Sequence, residues 1–146
     1  DYPFNVTVEE EYSVFVGVGC HMGGSTYYAV YVKFRNQTQP LPNATLSEPS
    51  PLEPLYKFQV FVADEMTWES QVNFTVLGAV RLGNSTFVRY LSINDVVFGV
   101  NSTATWDSEY RGFFYQVFFE LWIYDTAVSS FQYHNRFVGL WLNMTV

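Results

Sequence analysis

Apolar and polar side chains alternate at every second residue along most of this chain. Nowhere do the apolar residues repeat at the 3.6-residue spacing of an amphipathic helix. In an extended backbone, neighbours point to opposite faces, so this pattern buries one face of a strand and wets the other. Phe4, Val6 and Val8 alternate with Asn5 and Thr7, and after a charged turn at Glu9, Glu10 and Glu11 the series Val14, Val16, Val18, Cys20 follows. Residues 27–35 and 56–63 continue the pattern. In residues 68–76, Trp68, Val72, Phe74 and Val76 take one face while Glu69, Gln71, Asn73 and Thr75 take the other. The chain is therefore expected to be all-β, with no helix longer than a turn.

The connections are less uniform. His21-Met22-Gly23-Gly24 predicts a hairpin between the second and third strands, since paired glycines permit positive φ. Residues 36–55, NQTQPLPNATLSEPSPLEPL, carry five prolines and predict a long exposed loop in extended conformation. From 77 to 108 the alternation loosens, and that insertion has room for one or two short strands within 87–100. Residues 110–124, YRGFFYQVFFELWIY, are apolar on both faces, so this strand is central or its second face meets something other than water. Residues 131–134 and 137–146 form one or two closing strands. There Val138, Leu140, Leu142 and Met144 point to the core and Phe137, Trp141 and Asn143 point outward. Seven to nine strands at this spacing predict an immunoglobulin-like antiparallel β-sandwich, with residues 1–146 as a single domain.

A chain of 146 residues can bury one core without metals or disulfides, and its single Cys20 reads as a small buried hydrophobe. Aromatic residues make up 20% and charged residues only 14%, so the surface must be polar through uncharged groups or be covered. The net charge is −7 and the seven Lys and Arg are scattered singly, which excludes a phosphate-neutralising stripe and hence a nucleic-acid partner. No apolar run approaches the roughly 20 residues of a membrane span. Asp1 is no initiator, so the chain is expected to be part of a longer product, in contact with a membrane only through a segment outside it.

Surface polarity has a candidate source in seven Asn-X-Thr triplets, at Asn5, Asn36, Asn43, Asn73, Asn84, Asn101 and Asn143. With nine Asn and 22 Ser plus Thr in the chain, chance would place about one or two, so the excess predicts N-glycosylation and an extracellular or cell-surface location. Covalent N-linked glycans are then expected in place of any cofactor.

Residues that could carry chemistry are sparse. His21 and His134 have no Cys or carboxylate at ligand spacing, and Asp64-Glu65 and Asp107-Ser108-Glu109 lack the spacing of a calcium loop, so no metal is expected. Glu120, set among aromatics in FFELWIY, is the one candidate acid or base, and cross-strand pairing with Arg111 or Arg136 would satisfy it instead. No phosphate loop, nucleophile elbow or zinc-protease helix occurs, and the chain is not expected to be an enzyme.

Asp1-Tyr2-Pro3, the segment from Gly17 to His21, Thr67-Trp68-Glu69 with Phe74-Thr75, and the closing Leu140-Trp141 together resemble an archaeal surface family, domain of unknown function 1616. Cys20 stands where that pattern often has Asn. The resemblance implies a membrane-anchored protein with an extracellular β-sandwich, and no activity. Two functions compete. One is a structural glycoprotein module that associates with copies of itself or with neighbouring surface proteins, in a filament or layer built by strand addition, with Phe137, Trp141 and Trp122 as its interaction surface. The other is a carbohydrate-binding module that stacks sugars on exposed aromatics such as Trp106, Trp122 or Trp141.

Overall fold

A computed structural model describes residues 4–146, so the Asp1-Tyr2-Pro3 part of the family likeness lies outside the described residues. Ten strands form two sheets. They are β1 (Asn5–Thr7), β2 (Glu11–Gly19), β3 (Thr26–Asn36), β4 (Tyr56–Val62), β5 (Thr67–Leu77), β6 (Val80–Leu82), β7 (Ser85–Ile93), β8 (Val96–Thr105), β9 (Phe114–Asp125) and β10 (Ser130–Thr145). Sheet A runs β1-β10-β9-β3-β4, and sheet B runs β2-β5-β7 with both β6 and β8 paired to β7. The all-β sandwich is as expected, with ten strands where seven to nine were anticipated; β1 and β6 are three-residue pieces. One pairing, β1 with β10, is parallel.

Alternation places the core. Val14, Val16 and Val18 from β2, Val72, Phe74 and Val76 from β5, and Val30, Val32, Tyr115, Val117 and Phe119 from sheet A fill the space between the layers. Tyr115 is buried with its hydroxyl, which donates to the Thr86 and Ser102 carbonyls and meets the Thr86 hydroxyl. Cys20 is a free, fully buried thiol, as expected.

Three connections differ from expectation. The 20–25 segment joins β2 in sheet B to β3 in sheet A, so it is a crossover between layers and not a hairpin, although Gly23 does adopt a positive φ of 83°. The 77–108 region is regular: β7 and β8 form a hairpin whose two-residue turn, Asn94 (φ 49°) and Asp95 (φ 66°), has the left-handed geometry of a type I′ turn. A register shift between Val88 and Tyr90 moves the buried set from Thr86 and Val88 to Leu91 and Ile93, and this phase change is what loosens the alternation.

The third difference is the proline-rich segment, which joins β3 to β4 and folds over the outer face of sheet A. Its Ser50 and Pro42 are buried, the Leu55 N–H donates to the Val32 carbonyl, and the Ala44 carbonyl accepts from Asn135 on β10. β9 is buried on both faces from Phe114 to Glu120, with the strap at Glu120, Phe4 against Phe114 and Phe137 against Phe118, which accounts for its two apolar faces.

Candidate interaction surface

The strap covers charge as well as aromatic surface. Lys33, 3% exposed, and Glu120, 0% exposed, meet at 2.7 Å on the outer face of β3 and β9. The Lys33 ammonium also donates to the Ser50 carbonyl, while Glu120 accepts from the Ser50 N–H at 2.7 Å and from the Trp122 indole at 3.2 Å. The partner of Glu120 is thus Lys33, and not Arg111 or Arg136. Outer-face residues two apart on the neighbouring strand bring Lys33 beside Glu120, whereas Arg136 lies in register with Leu121 on the inner face. Two residues further along β3, on the same face, Arg35 donates to Gln116 at 2.7 Å and to the strap carbonyls of Gln37 and Gln39. Burial first, and then the Glu120 carboxylate, push the Tyr31 and Tyr133 phenols above their usual pKa. With its oxygens committed to Lys33, Ser50 and Trp122, Glu120 works here as an anchor for the strap.

The three aromatics anticipated as one surface share the outer face of sheet A but are not one patch. Trp122 lies between Tyr31 (ring centroids 4.8 Å) and Tyr133 (5.8 Å) and is half-buried. Phe137 meets Phe118 edge-on, and Trp141 packs under the Arg35 guanidinium, 5.2 Å from its ring. Around Trp141 opens a separate cleft of about 500 Å³, lined by Phe4, Gln37, Asp107, Tyr110, Phe114 and Trp141. Trp106, edge-on to Phe113, lies outside that lining.

The two flanks of the sandwich are unlike. At the β4–β8 flank the layers are joined by aromatic contacts, Tyr56 with Phe98 and Phe58 with Trp68. At the opposite flank, β2 and most of β10 are both sheet edges, since β1 pairs with β10 only over residues 143–145. Between these edges runs a cleft of about 400 Å³ that reaches the core residues Val16, Val18, Tyr28, Val30 and Phe119 and is lined also by Val138, and it continues past Phe15 and Leu140. The inner face of β10 opens progressively toward it: Met144 is 4% and Leu142 1% exposed, Leu140 is half-buried, and Val138 is 58% exposed. On the facing edge, Phe15 is 67% exposed. His134 also lines this cleft, and burial and Arg136 hold its pKa below the usual 6.5.

All seven sequon asparagines fall among the described residues. Asn5, Asn43, Asn84 and Asn101 are exposed, and Asn36, Asn73 and Asn143 are half-buried. None of the seven lines the flank cleft. Some sequon residues also have work in the fold. The Asn36 carboxamide caps a turn by accepting from the N–H groups of Thr38 and Gln39, and Thr86 of the Asn84 sequon is buried against Tyr115. Among the described residues no group of three His, Cys, Asp or Glu could hold a metal, and no helix is long and apolar enough to cross a membrane.

The open edge was only partly visible in the sequence. Alternation marked Val138 as a core position, but nothing in the pattern told that no strand among the described residues would lie across it. Compared with protein-family models, curated proteins and solved structures, the chain finds no match, so the likeness to the archaeal surface family rests on its short motifs.

Proposed function

We propose that this chain is a non-enzymatic, N-glycosylated extracellular module that associates with copies of itself at the cell surface, by accepting a strand along its β2–β10 flank. The observation that supports this reading best is Val138. It stands in the core register of β10, opposite Phe119, and yet is 58% exposed. An added strand beside β10 would pair its unpaired N–H and C=O groups and bring apolar side chains over Val138. None of the sequon asparagines lines that cleft. A family place among archaeal membrane-anchored surface proteins is part of the same proposal, drawn from the motif likeness.

Amide hydrogen exchange at two protein concentrations tests it. Protection of residues 136–140 and of β2 should rise with concentration, while the β4 edge stays unchanged. Exchange of residues 136–140 that is fast and concentration-independent would remove the proposal. Carbohydrate binding is the second reading, favoured by the aromatic cleft at Trp141, and a glycan array without any binder would set it aside.

A further inference from the structure

The Trp141 cleft has a feature that the other aromatic contacts lack: it adjoins a sequon on the same face of the same strand. Trp141 pairs with Gln116 and Asn143 with Phe114, both on the outer face of sheet A. Two residues of strand separate them, roughly 6.5 Å. A group carried by the Asn143 amide is therefore delivered beside the indole and Phe114. Among the residues two before the seven asparagines, the one other aromatic is Phe34, which is buried and stacked on Tyr115.

The Asn143 side chain is also held in place. Its Oδ1 accepts from the Phe113 N–H and its Nδ2 donates to Asn5 Oδ1, both at 3.2 Å. An amide nitrogen has two hydrogens, so that donation leaves one position for a glycosidic bond. Space is kept by Gly112, where a Cβ would strike both the Asn143 carboxamide and the Phe114 ring. The cleft then offers what a sugar ring needs. Trp141, Phe114, Phe4 and the 72%-exposed Tyr110 line it with apolar surface for its C–H face, and Gln37 and Asp107 bring polar oxygens for its hydroxyls.

We propose that the Trp141 cleft seats the sugar chain carried by Asn143 of the same molecule, so that this glycan is a packed part of the fold and not a free appendage. The inference rests on the glycosylation reading above and assigns one of its sites a structural role. The Arg35 guanidinium backs the indole, and Gln116 and the strap hold Arg35. The sugar would thereby be coupled to the strap.

The test uses the full chain secreted from a host that N-glycosylates, as wild type, Trp141→Val, Thr145→Val and the double variant. Thr145→Val removes the sequon but leaves Asn143 and its hydrogen bonds. Tyr110→Ser, at an exposed cleft wall, serves as a second probe if Trp141→Val folds poorly. Peptide mass analysis gives occupancy at each Asn, denaturant unfolding gives the coupling, and proton NMR reports contacts between the first sugar and the indole. The expected result is an occupied Asn143, nuclear Overhauser contacts from the first sugar to Trp141, and a coupling of about three- to tenfold in the unfolding equilibrium, the range of an aromatic contact. An occupied Asn143 with additive variants and no sugar–indole contact overturns the seat while leaving glycosylation intact. A bare Asn143 beside other occupied sites also overturns it, and seven bare sites overturn both readings.

Discussion

The outer face of sheet A is closed by the chain's own loop, and the β2–β10 flank is left open. On the outer face of sheet A, nineteen residues between Asn36 and Tyr56 cross three strands to bury Lys33, Glu120 and the aromatics around them. At the β2–β10 flank, Val138 stands in the open although the core runs beneath it, and Phe15 is exposed on the outer face of the β2 edge. A chain that covers even a charged pair with its own loop has the means to cover two apolar side chains. The contrast supports the proposed reading of the open flank as a place of association, whereas the strap is a matter of stability.

The largest effect should come from the closed side. Lys33→Met leaves Glu120 buried without its counter-charge and should cost about 3–5 kcal/mol in denaturant unfolding, and the double variant Lys33→Met/Glu120→Leu should recover most of it. A single-variant cost below about 1 kcal/mol would mean that the pair does not hold the strap. Next comes the junction between the two regions. Gly139 lies on the outer face of β10, where a Cβ would run into the Gln116 carboxamide, which is itself held by Arg35. Gly139→Ala should cost about 1–3 kcal/mol by overpacking, and an unchanged unfolding midpoint would show that Gln116 yields freely.

The open side should respond in the reverse manner. Val138→Lys and Phe15→Lys each place a charge at an exposed position, so stability should move by less than about 0.5 kcal/mol while self-association falls sharply in sedimentation. Variants that unfold would show these residues to be core after all. The smallest effect concerns His134 in the same cleft. Its folded pKa lies below the unfolded 6.5, so between the two values the unfolded chain binds more protons. Stability should therefore be full above 6.5 and decline as pH falls through 6.5 toward the folded value, and His134→Asn should flatten that slope.

Much of this was legible because period-two alternation states which residues share a face. Val72, Phe74 and Val76, and likewise Leu142 and Met144, are buried where the pattern puts them. The β7–β8 hairpin was hidden by its bulge, since Val88 and Leu91 are both core although they stand an odd number of positions apart. Glu120 stood out at once, but its partner did not, because pairing across strands depends on which strands are neighbours. Proline content spoke for an extended loop and not for where it lies: Ser50 is buried through two backbone hydrogen bonds that composition cannot reveal. The flank cleft is the hardest feature to read, since an uncovered edge is a property of sheet order.

Native mass analysis with electron microscopy of the glycosylated chain, set beside Val138→Lys, tests the central claim most directly. Concentration-dependent assemblies in the wild type that vanish in the folded variant are the predicted result. A wild type that stays monomeric at every concentration, or assemblies that Val138→Lys leaves intact, would contradict it.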